Sequence, residues 1–228
     1  MIAPATRTFF TGFIWLLAFS RSLFADQFEQ GLEALHAGNF AEAYCLWRPL
    51  AMQGHADAAY HLGWLYANGN GLKVDVATAV HWWTQAAEHD QMDAMFALAL
   101  AYTTGEGIEQ NPDEALRWYL AAADAGHEDA REMIRTKVRT ADAGIRDRLA
   151  QLIHKPWIGT AVRIKVDKAN LRAGPGAGRK LVETVPKDTQ LIAVNQRKQW
   201  YQVIDPNNLS YSWVASWLTD RPLEQAER

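Results

Sequence analysis

The chain has 228 residues, 49% hydrophobic and 21% charged, with a formal net charge of -3, 15 Gly, 8 Pro and a single Cys. This composition excludes a disordered, collagen-like or disulfide-stapled chain and leaves room for one or two folded domains. Charge is split: residues 26–130 hold 16 acids against Arg48, Lys73 and Arg117, a net of -13, whereas 131–228 hold 18 bases against 10 acids, a net of +8. Opposed potentials of this kind steer partners of opposite sign, or let two halves of a chain lean on each other.

Phe9 to Phe19 is an apolar run broken only by Thr11 and Gly12, with Arg7 before it and Ser20, Arg21, Ser22, Leu23, Phe24 and Ala25 after it. It is too short for a hydrocarbon core of about 30 Å, which takes roughly 20 helical residues, and looks like a secretory signal peptide cleaved after about Ala25. Leu23 and Arg21 are atypical near such a site, so an uncleaved anchor is the alternative. The expected product is periplasmic or otherwise exported, has no transmembrane anchor after cleavage, and meets no nucleic acid. Cys45 is the single cysteine and has no partner for an internal disulfide; it lies between Ala43 and Trp47, where a small buried thiol between helices is expected rather than a nucleophile.

A repeat of 36 residues follows: Asp57, Ala58, Leu62, Tyr66, Gly69 and Gly71 recur as Asp93, Ala94, Leu98, Tyr102, Gly105 and Gly107. Ala79, Trp82, Ala86 and Ala87 recur as Ala115, Trp118, Ala122 and Ala123, and Asp129 and Ala130 begin a third copy. Such a period signals stacked supersecondary units. Ala58, Leu62 and Tyr66, then Ala79, Trp83 and Ala87, recur every four residues, so each unit is a helix pair. Small residues let the helices approach, while Trp82, Trp83, Trp118 and Tyr119 are expected to fill the space between neighbouring units. Gly69-Asn70-Gly71 and Gly105-Glu106-Gly107 provide tight turns. Asn39, Asp75 and Asn111 are expected N-caps, with Glu42 and Glu114 as capping-box partners and Pro112 in the first turn. Gly54 and Gly126 suit helix ends. Residues 131–152 keep roughly helical spacing through Ile134, Val138, Ile145, Leu149 and Leu152, as a capping helix or two, closed by Pro156.

The pattern Ala58, Leu62-Gly63, Tyr66, Gly69-x-Gly71, Asp75, Ala79, Trp82-Trp83, Ala86-Ala87, with its second copy through Ala123, resembles Sel-1-like repeats, relatives of tetratricopeptide repeats. The resemblance covers about residues 39–130, with a less regular opening helix pair from about Phe28. Ala99 departs from the Gly at Gly63, and Asp90 from the helix-ending Gly.

From Trp157 the period becomes 2, with Val162, Ile164 and Val166 alternating with Arg163, Lys165 and Asp167; further strands are expected at Leu181 to Val185, Gln190 to Val194, Trp200 to Ile204 and Tyr211 to Val214. About sixty residues of this kind make a small barrel. Ala169-Asn170-Leu171-Arg172-Ala173-Gly174-Pro175, Lys187-Asp188-Thr189, Trp200-Tyr201-Gln202-Val203, Ser212-Trp213-Val214 and Ser216-Trp217-Leu218 occur in the order of a bacterial Src-homology-3 domain, which this segment resembles. The resemblance implies association with the cell wall and its peptidoglycan. Asn170 and Arg172 stand where eukaryotic relatives carry paired tyrosines, which argues against proline-motif binding.

The expected architecture is therefore α then β: a signal peptide (1–25), an α-helical repeat solenoid with a capping helix (26–156), a bacterial Src-homology-3-like barrel (157–221) and a tail (222–228). The seven His show no His-x-x-x-His spacing, and there is no Cys-x-x-Cys, so no metal, cofactor or catalytic constellation is expected. His55 and His127, just after Gly54 and Gly126, are read as cations at helix C-termini. Gly174-Pro175-Gly176-Ala177-Gly178 lacks the Gly-Lys-Ser/Thr ending of a phosphate loop. Protein-binding candidates are His61, Trp64 and Asn68, on the inner face of their helix; wall-ligand candidates are Asn170, Arg172, Trp200, Tyr201 and Trp217. The expected role is an exported non-catalytic adaptor whose repeats hold an envelope protein and whose barrel meets peptidoglycan. The alternatives are a wall hydrolase or peptidase using Cys45 or a His cluster that the sequence does not reveal, and docking of the basic barrel on the acidic helices.

Overall fold

A computed structural model describes residues 26–220. The expected signal segment (1–25), the last residue of the expected barrel (221) and the tail (222–228) lie outside the described residues. The chain divides into two compact units between Ala125 and Gly126.

The first unit is helical. Helix α1 (26–36) is followed by α2 (Phe40–Met52), α3 (Ala56–Asn68), α4 (Val76–Ala87), α5 (Met92–Thr104) and α6 (Pro112–Ala125). Successive helices pack in pairs, α3 on α4 and α5 on α6, because Ala58, Leu62, Ala79, Ala86, Ala94, Leu98, Ala115 and Ala122 bury one stripe of each helix. Gly69 and Gly105 end α3 and α5 with φ of 68° and 79°, the left-handed conformation that a Cβ disfavours. Asp90, in place of the helix-ending glycine, adopts the same region at φ 61°; Asp is among the residues that tolerate it.

The close approach inside each pair has a specific form. A Cβ on Gly63 would lie 2.4 Å from Nε1 of Trp83, and one on Gly31 would lie 2.2 Å from Nε1 of Trp47. Trp83 therefore packs within its own pair, and Tyr119 meets Phe96 of its own pair at 5.6 Å, whereas both rings are expected from the sequence to lie between neighbouring units. At the corresponding positions of the next pair stand Ala99 and the narrower Tyr119; both are buried.

Capping agrees with expectation at Asp75 and Asn111 and differs elsewhere. Asp75 accepts from the Thr78 N–H at 3.0 Å, and Asn111 Oδ1 accepts from the N–H groups of Asp113 and Glu114. Asn39 occupies the N-cap of α2 without a side-chain bond, and Glu114 binds Arg117 at 2.6 Å instead of completing a capping box. His55 and His127 are N-caps of α3 and of the next helix, where Nδ1 accepts from the N–H of Ala58 and of Ala130 at 3.3 Å. Gln91 does the same one repeat on, its Oε1 accepting from Ala94 at 2.6 Å. Each imidazole thus serves as a neutral acceptor at the positive end of a helix, the reverse of the expected cationic role.

The second unit begins with α7 (Glu128–Arg139) and the short α8 (Ala143–Arg146) and α9 (Leu149–Leu152), which bury the expected Ile134, Val138, Ile145, Leu149 and Leu152. Strands β1 (Thr160–Arg163), β2 (Lys168–Arg172), β3 (Leu181–Pro186), β4 (Gln190–Arg197), β5 (Trp200–Ile204) and β6 (Tyr211–Ala215) form an antiparallel sheet in the order β1-β4-β5-β6-β2-β3. An Ile164–Thr219 bridge links the end of β1 to the chain after β6. The inward residues Val162, Ile164, Ala169, Leu171, Val185, Leu191, Val203 and Val214 make the core. Strand β2 was not among the expected strands; the alternating run from Val162 ends at Arg163 as a strand, and the chain bends before resuming at Lys168. β3 is an edge strand with Leu181 and Val182 about half exposed. Gln202 Nε2 donates to the Arg139 carbonyl at 2.9 Å, tying α7 to the sheet.

Candidate functional site

On the first unit, the three candidates of α3 are placed differently. His61 stacks on Trp47 with centroids 4.6 Å apart and lies 5.7 Å from Phe28, so its ring is part of an aromatic cluster that joins α1, α2 and α3. Burial there pushes the imidazole below its usual range, while the carboxylates of Asp57 and Asp93 pull partly the other way. Trp64 is partly exposed, and its carbonyl accepts from Asn68 Nδ2 at 2.8 Å, fixing the exposed amide at the end of the helix. One repeat on, Leu100 occupies the position of Trp64 and is 46% exposed. Cys45 is exposed, not buried as expected: Ala43 and Trp47, four residues apart, turn inward, and a residue midway between them points the other way.

On the second unit a cleft of about 1320 Å³ opens between α7 and the sheet. Tyr201 and Trp217 line it, and Trp217, 53% exposed, meets Trp200 edge-on at 5.9 Å. Lys165 lines it from the sheet side, and Arg131 and Arg135 from α7; no carboxylate shares the lining. Arg135 Nε donates to the Trp157 carbonyl at 2.7 Å, while its Nη1 is paired with Glu128 at 2.7 Å. That bond holds the exposed Glu128 carboxyl below the usual carboxylate range. Lys165 has no acidic partner among the described residues. The amides of Asn195, Gln196 and Gln199 complete the polar side.

Of the five wall-ligand candidates, Tyr201 and Trp217 line this cleft and Trp200 buttresses Trp217. Asn170 and Arg172 belong to the β2–β3 hairpin: Asn170 Oδ1 accepts from Thr184 Oγ1 at 2.8 Å, and Arg172 Nη1 donates to the Arg179 carbonyl at 2.7 Å. The cations of α7, Trp157 and Lys165 were not singled out from sequence; the spacing Arg131, Arg135, Arg139 is the one local signal of a basic helix face. Among the described residues, no group of three or more His, Cys, Asp or Glu side chains is arranged to hold a metal ion, and no helix is long and apolar enough to cross a membrane.

A helical stack of repeated pairs followed by a small antiparallel barrel defines a two-part class of protein. Its parts match known families: residues 56–91 and 93–127 match the Sel1 repeat, and residues 167–220 match the bacterial SH3 domain. The chain is thus a Sel1-repeat protein carrying a bacterial SH3 domain. No curated protein matches it. Among solved structures, it is similar to a Sel1 repeat protein from Oxalobacter formigenes, with 29% identity over 50% of this chain and 47% of that one and a TM-score of 0.48. It is also similar to a protective antigen present in uropathogenic Escherichia coli strains, which displays an SLR fold: 25% identity over 54% of this chain and 27% of that one, TM-score 0.49. Cysteine-rich protein B of Helicobacter pylori is 18% identical over 51% of this chain and 93% of that one, TM-score 0.44. The chain spans less than half the length of the first two.

Proposed function

We propose that the chain is an exported, non-catalytic adaptor whose helical repeats hold an envelope protein and whose barrel associates with peptidoglycan. The observation that carries this reading is the cleft of the second unit, lined by the exposed face of Trp217, the ring of Tyr201 and Lys165, which has no acidic partner among the described residues, together with Arg131 and Arg135, both ion-paired to Glu128. An aromatic platform beside cations accepts a ligand with an apolar surface and a carboxylate, which is the chemistry of wall peptides. On the repeats, Trp64 and Asn68 are the proposed contact residues, extended by Leu100, with His61 holding the helix beneath them.

The test is sedimentation of the full chain with purified sacculi at rising salt. The chain is expected to co-sediment at low salt. Trp217→Ala and Lys165→Glu are expected to weaken this by roughly fivefold to tenfold each, as for loss of one aromatic or one charged contact. A chain that stays in the supernatant at low salt, or variants that sediment as the parent does, would sink the tether.

A further inference from the structure

The first unit holds a second concavity, distinct from the Trp64 face and from the barrel cleft. It is a groove of about 450 Å³ where the end of α2, the start of α3 and the end of α4 meet. Buried Ala51 and Ala59 close its inner side, so the floor is apolar. Trp82 forms one wall, and Met52, 68% exposed, forms a deformable one. The rim is polar and offers acceptors. His89 Nδ1 lies 2.9 Å from the Gln85 carbonyl, which can only accept, so that nitrogen carries the proton. In the neutral ring Nε2 is then left as an acceptor, and a Cβ built on Gly54, another lining residue, would lie 3.8 Å from it. Glu88 adds a carboxylate that has no cationic partner among the described residues.

An apolar floor, an indole wall and two acceptors at the rim match one kind of side chain: a long aliphatic stem ending in a cation. The chain itself supplies a precedent one repeat on. Trp118 is the counterpart of Trp82, and the guanidinium of Arg117 lies 4.1 Å from its ring centroid. His81 stands at the position of Arg117 in the earlier repeat and meets Trp82 with ring centroids 5.7 Å apart, so that position brings no guanidinium to Trp82. The net charge of -13 over residues 26–130 draws a basic partner toward this surface.

We infer that this groove is a docking site for an arginine side chain presented by a basic segment of a protein partner, the guanidinium set against Trp82 and hydrogen-bonded by Glu88 and His89. The inference deepens the reading of the repeats as a partner-binding unit but involves neither Trp64 nor the barrel, so the sacculus experiment can fail without touching it.

The test is an NMR titration of the full chain with tetra-arginine amide, following the Trp82 indole N–H identified by its loss in Trp82→Phe. Tetra-citrulline amide, which keeps the stem and lacks the charge, is the control. The arginine peptide is expected to shift the Trp82 indole saturably and the citrulline peptide to leave it in place. Glu88→Gln is expected to weaken binding by about tenfold, the order of a charge-assisted hydrogen bond. Asp113→Asn, an acid outside the groove, is expected to change it less than twofold, within the screening of exposed charges. Three results would each overturn the site: an unmoved Trp82 indole, an equal response to citrulline, or equal losses in Glu88→Gln and Asp113→Asn, which would mark diffuse attraction to the acidic surface.

Discussion

The pairs α3–α4 and α5–α6 solve one packing problem with two sets of residues. In the first, Gly63 lets the indole of Trp83 lie against the helix backbone, and Ala67 stands one turn further along. In the second the corresponding residues are Ala99, Tyr119 and Thr103, and the Thr103 hydroxyl lies 3.4 Å from the Tyr119 hydroxyl. A methyl group gained on one helix is matched by a narrower ring on the other, and the phenol that replaces the indole gains a polar neighbour. The Nε1 of Trp83, by contrast, is buried without a hydrogen-bond partner. Conservation of space, not of residue type, is what the repeat preserves.

The sharpest way to break that comparison is Gly63→Ala. Its Cβ would sit 2.4 Å from Nε1 of Trp83 and 3.1 Å from the Ala79 carbonyl oxygen, so overpacking is expected to destabilise the unit. The expected loss is about 1–3 kcal/mol, read from urea unfolding. Adding Trp83→Tyr should recover most of it, and Ala67→Thr a little more by supplying the hydroxyl neighbour. A double variant no more stable than Gly63→Ala alone would show that the two positions are not coupled.

A smaller effect tests the caps of the first helix in each pair. Gln91→Ala removes the acceptor for the Ala94 N–H and is expected to cost about 1 kcal/mol. Gln91→His should retain most of that at neutral pH, because His55 and His127 perform the same task in the flanking repeats. Equal thermal shifts in both variants would argue against a capping role.

The smallest expected effect is a pH dependence carried by His61. Burial between Trp47 and Phe28 lowers its folded-state affinity for a proton, whereas the unfolded chain takes one up near the ordinary value of about 6.5. The unfolded state therefore binds more protons below that pH. His61 contributes no penalty above it, and stability falls as the pH drops through and below it. His61→Phe keeps an aromatic ring in the stack, and its unfolding free energy should decline less than the parent's between pH 7.5 and 5. Parallel curves would remove His61 as a source.

Much of the fold was legible because it repeats. A fixed offset of 36 residues exposes both full pairs, and the change from a period of 3.6 to one of 2 marks the barrel. The opening pair was less legible for a geometric reason. Trp47 stands 36 residues before Trp83, but Gly31 stands only 32 before Gly63, because the α1–α2 connection is four residues shorter than the α3–α4 one. A single offset cannot align both helices. His55 and His127 were misread because the glycine that ends one helix is followed at once by the cap of the next, so one residue has two helix ends to choose from. The barrel aromatics could be picked out by type, yet two of the three cations that join Tyr201 and Trp217, Arg131 and Arg135, come from α7. Nothing local in the sequence couples a helix to a sheet whose Gln202 reaches its last turn.

The open margin of the sheet has a consequence for how the molecule behaves in crowded solution. β3 leaves a row of main-chain donors and acceptors beside Leu181 and Val182, a surface on which another polypeptide could nucleate a stacked ribbon. Arg179 and Lys180 precede the strand, and Pro186 and Lys187 close it, so approaching copies meet positive charge at both ends and a tertiary amide with no N–H to extend the ladder. Neutralising those bases would leave Pro186 as the remaining guard of that margin.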